Sequence, residues 1–103
     1  MIVRSWSARA TAAGADSYTE HFRRKVLPHI QRIPGHRGAI LLRKGAADEV
    51  ELIVLTIWDS MTSIHDFAGN DPSLAVVEPE ARTVLKNFDT HVQHFDLVVD
   101  SRS

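Results

Sequence analysis

Cysteine is absent from the 103 residues, which excludes disulfides, thiol nucleophiles and thiolate metal sites and fits a reducing compartment. An excess of one charge is also missing: 12 basic residues face 13 acidic ones, the formal net charge is −1, and like charges do not run together in blocks. Neither a nucleic-acid-binding face nor a basic membrane-surface helix is expected. No apolar run approaches the roughly 18 residues of a membrane span. No N-terminal stretch combines the basic, apolar and small-residue parts of a signal peptide, so the expected location is cytoplasmic. Gly-rich phosphate loops and serine-nucleophile motifs lack their strand-turn-helix setting. His91 and His94 fall on opposite faces of an expected strand, and no spacing suggests a metal. Without repeats, linkers or low-complexity tracts, residues 1–99 read as a single domain and 100–103 as a frayed C-terminal tail.

What is present centres on residues 50–69, VELIVLTIWDSMTSIHDFAG. The run from Val50 to Trp58 is rich in β-branched residues and free of Gly and Pro, and reads as a strand. Ile53, Leu55 and Ile57 point one way, while Val50, Leu52, Val54 and Trp58 point the other. Apolar residues on both faces require both faces to be covered. A chain of this length has helices enough for one face only, so the second needs another copy of the same sheet and a homodimer is expected.

On either side of this stretch the elements follow in simple order. Residues 2–10 form a first strand, with Ile2, Arg4, Trp6 and Ala8 on one face. Gly14 breaks the pattern, and Asp16 or Ser17 caps a helix running to about Ile33 with the stripe Tyr18, Phe22, Val26, Ile30 and Ile33. Pro28 bends or divides that helix, His29 falls within the stripe, and His21 lies on a solvated flank. After Pro34-Gly35, residues 38–44 are a second strand, turned by residues 45–48 into the central one. Asp59 or Ser60 caps a helix that directs Ile64, Phe67 and Ala68 inward, leaves His65 exposed and ends at Gly69. Residues 74–77 and 79–88 continue helical with a break near Glu78, and residues 90–99 form the last strand. The order βαββαβ defines an α+β, ferredoxin-like fold with a four-stranded antiparallel sheet and both helical layers on one face.

Trp58-Asp59-Ser60 followed by Phe67-Ala68-Gly69 resembles the antibiotic biosynthesis monooxygenase-like (ABM domain) family of the dimeric α+β barrel superfamily. Tyr18, Pro34-Gly35, Leu42-Arg43 and His94-Phe95 support the resemblance, which covers nearly the whole chain. It implies that residues 1–99 are one such domain, pairing through the sheet face into a dimeric α+β barrel that holds a small apolar or aromatic ligand between sheet and helices. Quinone-forming, cofactor-independent members of that family carry an asparagine four places before the tryptophan and a tyrosine six places after it. Val54 and Ile64 stand at those positions here. Haem-degrading members carry a tryptophan where this chain has Phe67 and an iron-ligating histidine near Val76 and Val77. Valine cannot ligate iron, so haem degradation in that manner is not expected.

The resemblance and the residue pattern together make the expected activity a monooxygenase that needs no cofactor and acts on a small aromatic or polyketide-like substrate. Trp58 and Phe67 would sandwich the substrate, Arg4 would stabilise negative charge, and His94 or His29 would act as base. Trp6, Tyr18 and Phe22 complete the expected binding wall. The alternatives are a non-catalytic small-molecule-binding or stress-related dimer, and a core filled by these same aromatic side chains, with Arg4 reaching an edge carboxylate.

Overall fold

The computed structural model describes residues 1–102, and Ser103, the end of the expected tail, lies outside the described residues. Its centre is two long antiparallel pairings. Strand β1 (Ile2–Ala10) pairs along its whole length with β3 (Glu49–Trp58), from Ile2 opposite Trp58 to Ala10 opposite Val50. Strand β2 (His36–Ala46) pairs with the other edge of β3 and reaches two residues beyond the expected 38–44 at each end. The connection shrinks to Ala47-Asp48 because Gly45 (φ +96°) and Ala47 (φ +56°) take left-handed conformations that keep the strands in register.

The first helical layer begins earlier than expected. Helix α1 (Ala12–His21) is capped by Thr11, whose hydroxyl accepts from the Gly14 amide at 3.0 Å, rather than by Asp16 or Ser17. Gly14 therefore lies inside the helix instead of breaking it. A Cβ there would sit 2.3 Å from the Val84 carbonyl oxygen, so the residue permits a close crossing with the later helix. The expected interruption at Pro28 takes the form of a π-helical turn, Phe22–Val26, in which the Leu27 amide donates five residues back to the Phe22 carbonyl. Proline has no N–H and crowds the carbonyl one turn before it, and the wider turn relieves both problems. Helix α2 (Leu27–Gln31) follows.

Helix α3 (Met61–Ala68) is capped by Ser60 and ends at Gly69, with Ile64 buried and His65 exposed. Gly35, at φ +93° in the turn before β2, runs directly beneath this helix. A Cβ on it would lie 1.9 Å from Ser63 Oγ and 2.7 Å from Ser63 Cβ. Gly35→Ala is expected to cost about 1–3 kcal/mol through overpacking, and a urea midpoint unchanged from the wild type would contradict this close approach.

The C-terminal third departs most from expectation. Residues 74–77 are not helical, and helix α4 (Pro79–Val84) stops four residues before the expected end at 88. The Lys86 amide donates to the Arg9 carbonyl at 2.8 Å, pulling the chain onto β1 as the short strand β4 (Asn87–Phe88). The expected strand over 90–99 is also shorter. Thr90 to Val92 leave β1 to pair with residues 73–75, through Ala75 N to Thr90 O (2.9 Å) and Val92 N to Ser73 O (2.8 Å). Only β5 (Gln93–Asp96) returns to β1. Strands β4 and β5 thus form one interrupted edge, and the order β2-β3-β1-β4/β5 is that of the expected ferredoxin-like α+β fold.

Helices α1, α2 and α3 pack on the sheet face carrying Val50, Leu52, Val54 and Trp58. Strand alternation puts Val3, Ile40, Leu42, Ile53, Leu55 and Phe95 on the opposite face, where Leu42 is 45 % and Phe95 52 % exposed. Among the described residues, no helix is long and apolar enough to cross a membrane.

Candidate functional site

Beneath the widened first helix, the helix-facing side of β1 and β3 leaves a cavity of about 250 Å3. Its middle is apolar, walled by Trp6, Val26, Ile30, Val54 and Phe67 from the elements already described and closed by Val76, Val77, Ala81 and Val92 from the C-terminal third. Polar groups stand at two places: Arg4 and Thr56 with His29, and Tyr18 and His21 with Glu78.

Arg4 is held on β1 with only 4 % of its surface exposed. Among the described residues it meets no carboxylate. Its guanidinium donates to the Pro72 carbonyl and, at 2.8 Å, to the Leu74 carbonyl, and lies 3.1 Å from His94 Nε2. Register explains the last contact, since Arg4 and His94 are direct partners of β1 and β5. Burial lowers the guanidinium to about 10, which leaves it charged at neutral pH. Burial, and then the Arg4 charge, lowers His94 from its usual value. The neutral ring accepts from Arg4 through Nε2, so this lone pair is already engaged. A histidine lowered on folding favours the native state above its unfolded value and loses that contribution as pH falls below it. Stability is therefore expected to decline on acidification below about 6.5, and a His94→Gln variant should show a shallower decline in urea titrations across that range.

Five of the expected site residues reach the cavity wall: Arg4, Trp6, Tyr18, His29 and Phe67. Three lie elsewhere. Phe22 is buried in the core between helix and sheet, and His94 stands behind Arg4. Trp58 is completely buried, with its ring stacked on Phe67 at 5.5 Å and 26° and its indole N–H donating to Thr56 Oγ1 at 2.8 Å. The expected sandwich is thereby corrected: the two rings contact each other, and Trp58 backs Phe67 rather than lying opposite it. Phe67 turns toward the cavity with the Arg4 guanidinium carbon 5.6 Å from its centroid and the His29 ring at 6.2 Å.

Three polar wall residues were not among the expected set. Thr56 follows from the alternation of β3, two residues before Trp58. His21 is no solvated flank residue. Its side chain is 8 % exposed, with Nε2 3.8 Å from Glu78 Oε2 and Nδ1 3.6 Å from Glu80 Oε2. It stands three residues after Tyr18, and that helical spacing was the available signal. Glu78 comes from the irregular segment before α4, where periodicity carries no information. Burial, reinforced by the Glu78 charge, raises the Tyr18 phenol, so the hydroxyl keeps its proton and remains a donor.

No protein-family model matches the chain, and no curated protein sequence does. Solved structures do match over almost its full length. A candidate antibiotic biosynthesis monooxygenase from Bacillus cereus superposes with a TM-score of 0.68 at 14 % identity, covering 99 % of this chain and 95 % of its own. The haem degrader MhuD from Mycobacterium tuberculosis, with two haems bound in its active site, gives 0.61 at 24 % identity, covering 97 % and 98 %. SnoaB, a cofactor-independent oxygenase from Streptomyces nogalater, gives 0.64 at 14 % identity, covering 99 % and 98 %. The chain shares its fold with these proteins, so the resemblance first carried by Trp58-Asp59-Ser60 extends to the three-dimensional structure.

Proposed function

We propose that the protein is a cofactor-independent monooxygenase acting on a small hydroxylated aromatic or polyketide-like compound. The observation that carries this reading is the apolar cavity with Arg4 buried at its wall, on a fold shared with SnoaB, a cofactor-independent oxygenase. A cavity of about 250 Å3 lies just below the usual range for drug-sized ligands, roughly 300–1,000 Å3. It suits a compact ring system.

In this reading the substrate ring lies in the cavity beside Phe67 and one of its oxygens faces Arg4. Loss of a proton gives an enolate or phenolate, whose negative charge the desolvated guanidinium stabilises. The electron-rich ring carbon transfers one electron to dioxygen, the two radicals combine to form a C–O bond, and protonation gives a hydroperoxide. That intermediate loses water and leaves a carbonyl. One oxygen atom enters the product and the other leaves as water: in an anthrone CH2 and O2 become C=O and H2O, and in a phenol the ring C–H and the O–H supply the two hydrogens. Trp58 and His94 act at one remove, Trp58 fixing Phe67 and His94 fixing Arg4. The test is oxygen uptake by metal-free protein with anthrones and hydroquinones, the expected products being the anthraquinone from an anthrone and the hydroxyquinone from a hydroquinone, one per O2 and without hydrogen peroxide.

Val54 on the cavity wall favours a second reading, since a polar group is implied there by resemblance to quinone-forming relatives. The same pocket would then hold its ligand without turnover, and native mass spectrometry would show a retained small molecule with no oxygen uptake. Haem suits the site less well. Val76 and Val77 line the wall where the resemblance implies an iron ligand, and the cavity is small for a porphyrin.

The proposal includes assembly. The uncovered sheet face is apolar at Val3, Ile40, Leu42, Ile53, Leu55 and Phe95, and a second copy supplies a matching surface through a two-fold axis. Light scattering at micromolar concentration should give a dimer, and Leu55→Glu should raise its dissociation constant at least about tenfold by burying an unpaired charge. A stable wild-type monomer would contradict this.

A further inference from the structure

We propose that His21 is the proton acceptor of the cavity, and that the ligand is a hydroxyaromatic whose O–H faces His21 while a carbonyl or carboxylate oxygen at its other end faces Arg4. This rests on the reading of the cavity as an oxygenase site but concerns its proton chemistry alone.

The first support is an unpartnered polar atom. His21 lines the cavity, its side chain is more than nine-tenths buried, and its Nε2 has no hydrogen-bond partner among the described residues, the nearest carboxylate oxygen, Glu78 Oε2, lying 3.8 Å away. Such an atom costs free energy unless something occupies the site to satisfy it. The second support is the surroundings of the ring. With its proton on Nδ1, toward Glu80 at 3.6 Å, His21 presents a free lone pair at Nε2. When the ligand O–H bond breaks, the proton forms the Nε2–H bond and the electron pair stays on the ligand oxygen. The resulting imidazolium faces two carboxylates, Glu78 at 3.8 Å and Glu80 at 3.6 Å. The Tyr18 ring, 6.0 Å from His21, bears a phenol kept protonated by burial and so able to donate to the same ligand oxygen.

The other histidines near the site serve less well. His94 has its Nε2 engaged by Arg4, and His29 is exposed at the cavity rim. Arg4 and His21 reach the cavity from different elements, β1 and α1, with Trp6 and Tyr18 between them in contact at 5.9 Å. A ligand polar at both ends and flat in the middle meets all four residues.

The test uses 4-hydroxybenzaldehyde, a phenol with a carbonyl opposite, at a pH where the free compound is mainly neutral. Bound to the wild-type protein it should show the red-shifted absorbance of its phenolate. His21→Gln and His21→Phe should abolish that band, and Glu78→Gln should weaken it. The 15N resonances of the His21 ring should move to the imidazolium position as the probe binds, a wild-type readout that does not depend on a variant folding. 4-Methoxybenzaldehyde, which has no proton to give, should leave them unmoved. Binding as the neutral phenol, a phenolate band that survives in His21→Gln, or no binding of the probe would each overturn the proposal. In oxygen uptake, His21→Gln should lower kcat by about 10²–10⁴-fold with little change in KM. Unchanged turnover in that variant would defeat the role of His21 and leave the oxygenase reading standing. A wild-type protein that forms the phenolate but consumes no oxygen would do the reverse.

Discussion

Replacing Trp58 by alanine is expected to destabilise the protein by about 3–5 kcal/mol, the usual cost of truncating a buried indole. Trp58 is the largest fully buried side chain and packs with Ile30 and Ile64 under both helical layers. Its loss removes the stacked support of Phe67 and the donor to Thr56 Oγ1 at once. Trp58→Phe keeps an aromatic ring against Phe67 and gives up the indole N–H, so it should cost much less, about 1 kcal/mol for the hydrogen bond together with some lost volume. Urea unfolding of the two variants separates these terms. If Trp58→Ala unfolded at nearly the wild-type midpoint, the indole would not be the keystone of this end of the core. Turnover should follow the same order, because the position of Phe67 depends on what stands behind it.

Arg4→Met is the second large effect. The methionine fills much of the space but donates nothing, leaving the Pro72 and Leu74 carbonyls without their donor, at up to about 1–3 kcal/mol for an acceptor kept from water and less at Leu74, which is 44 % exposed. The consequence should be local as well as global. Those carbonyls anchor the segment that leads to Val76, Val77 and Glu78, so the cavity wall should loosen when they are released. Hydrogen exchange at the Ala75 and Val92 amides, which pair this segment with residues 90–92, should accelerate. Arg4→Lys should fail almost as badly, because one ammonium cannot reproduce the planar fork that meets two carbonyls and His94. Exchange rates unchanged in Arg4→Met would show that the segment is held by other contacts.

The reach of sequence reasoning followed how locally each element is determined. Strand β3 was legible because a long run rich in β-branched residues and free of Gly and Pro has few alternatives, β1 because it is likewise uninterrupted by Gly or Pro, and the position of Pro28 announced an irregular helix. The Thr11 cap was missed because Gly14 reads as a breaker when the nearby Val84 carbonyl is out of view. Within residues 74–99 the helix from Pro79 and a strand inside 90–99 were legible, but residues 74–77 and 85–92 were not, because short segments of mixed propensity take their structure from partners. Leu74 pairs with His91, and Asn87 with Arg9, across separations no local pattern reports.

The site divides in the same way. Arg4, Trp6 and Tyr18 follow from strand and helix periods, and all three line the cavity. Trp58 and Phe67 were correctly directed to one side of the sheet, but periodicity cannot tell a pair that encloses a ligand from a pair in mutual contact. His21 carried the right spacing from Tyr18. Its neighbours Glu78 and Glu80 arrive from a segment whose path is set by the Arg4 carbonyl contacts, so the cluster was invisible until the chain was folded.

The central claim, oxygen chemistry without a cofactor in the cavity beside Arg4, is tested most directly by an oxygen electrode. Metal-free wild-type protein and Arg4→Lys are compared with a panel of anthrones and hydroquinones. The wild type should consume one O2 per substrate and release the oxygenated quinone without hydrogen peroxide, with the variant slowed at least about a hundredfold, the scale on which a single charge-stabilising group acts. No uptake above the protein-free rate for any compound, or equal rates in the two proteins, would contradict the account.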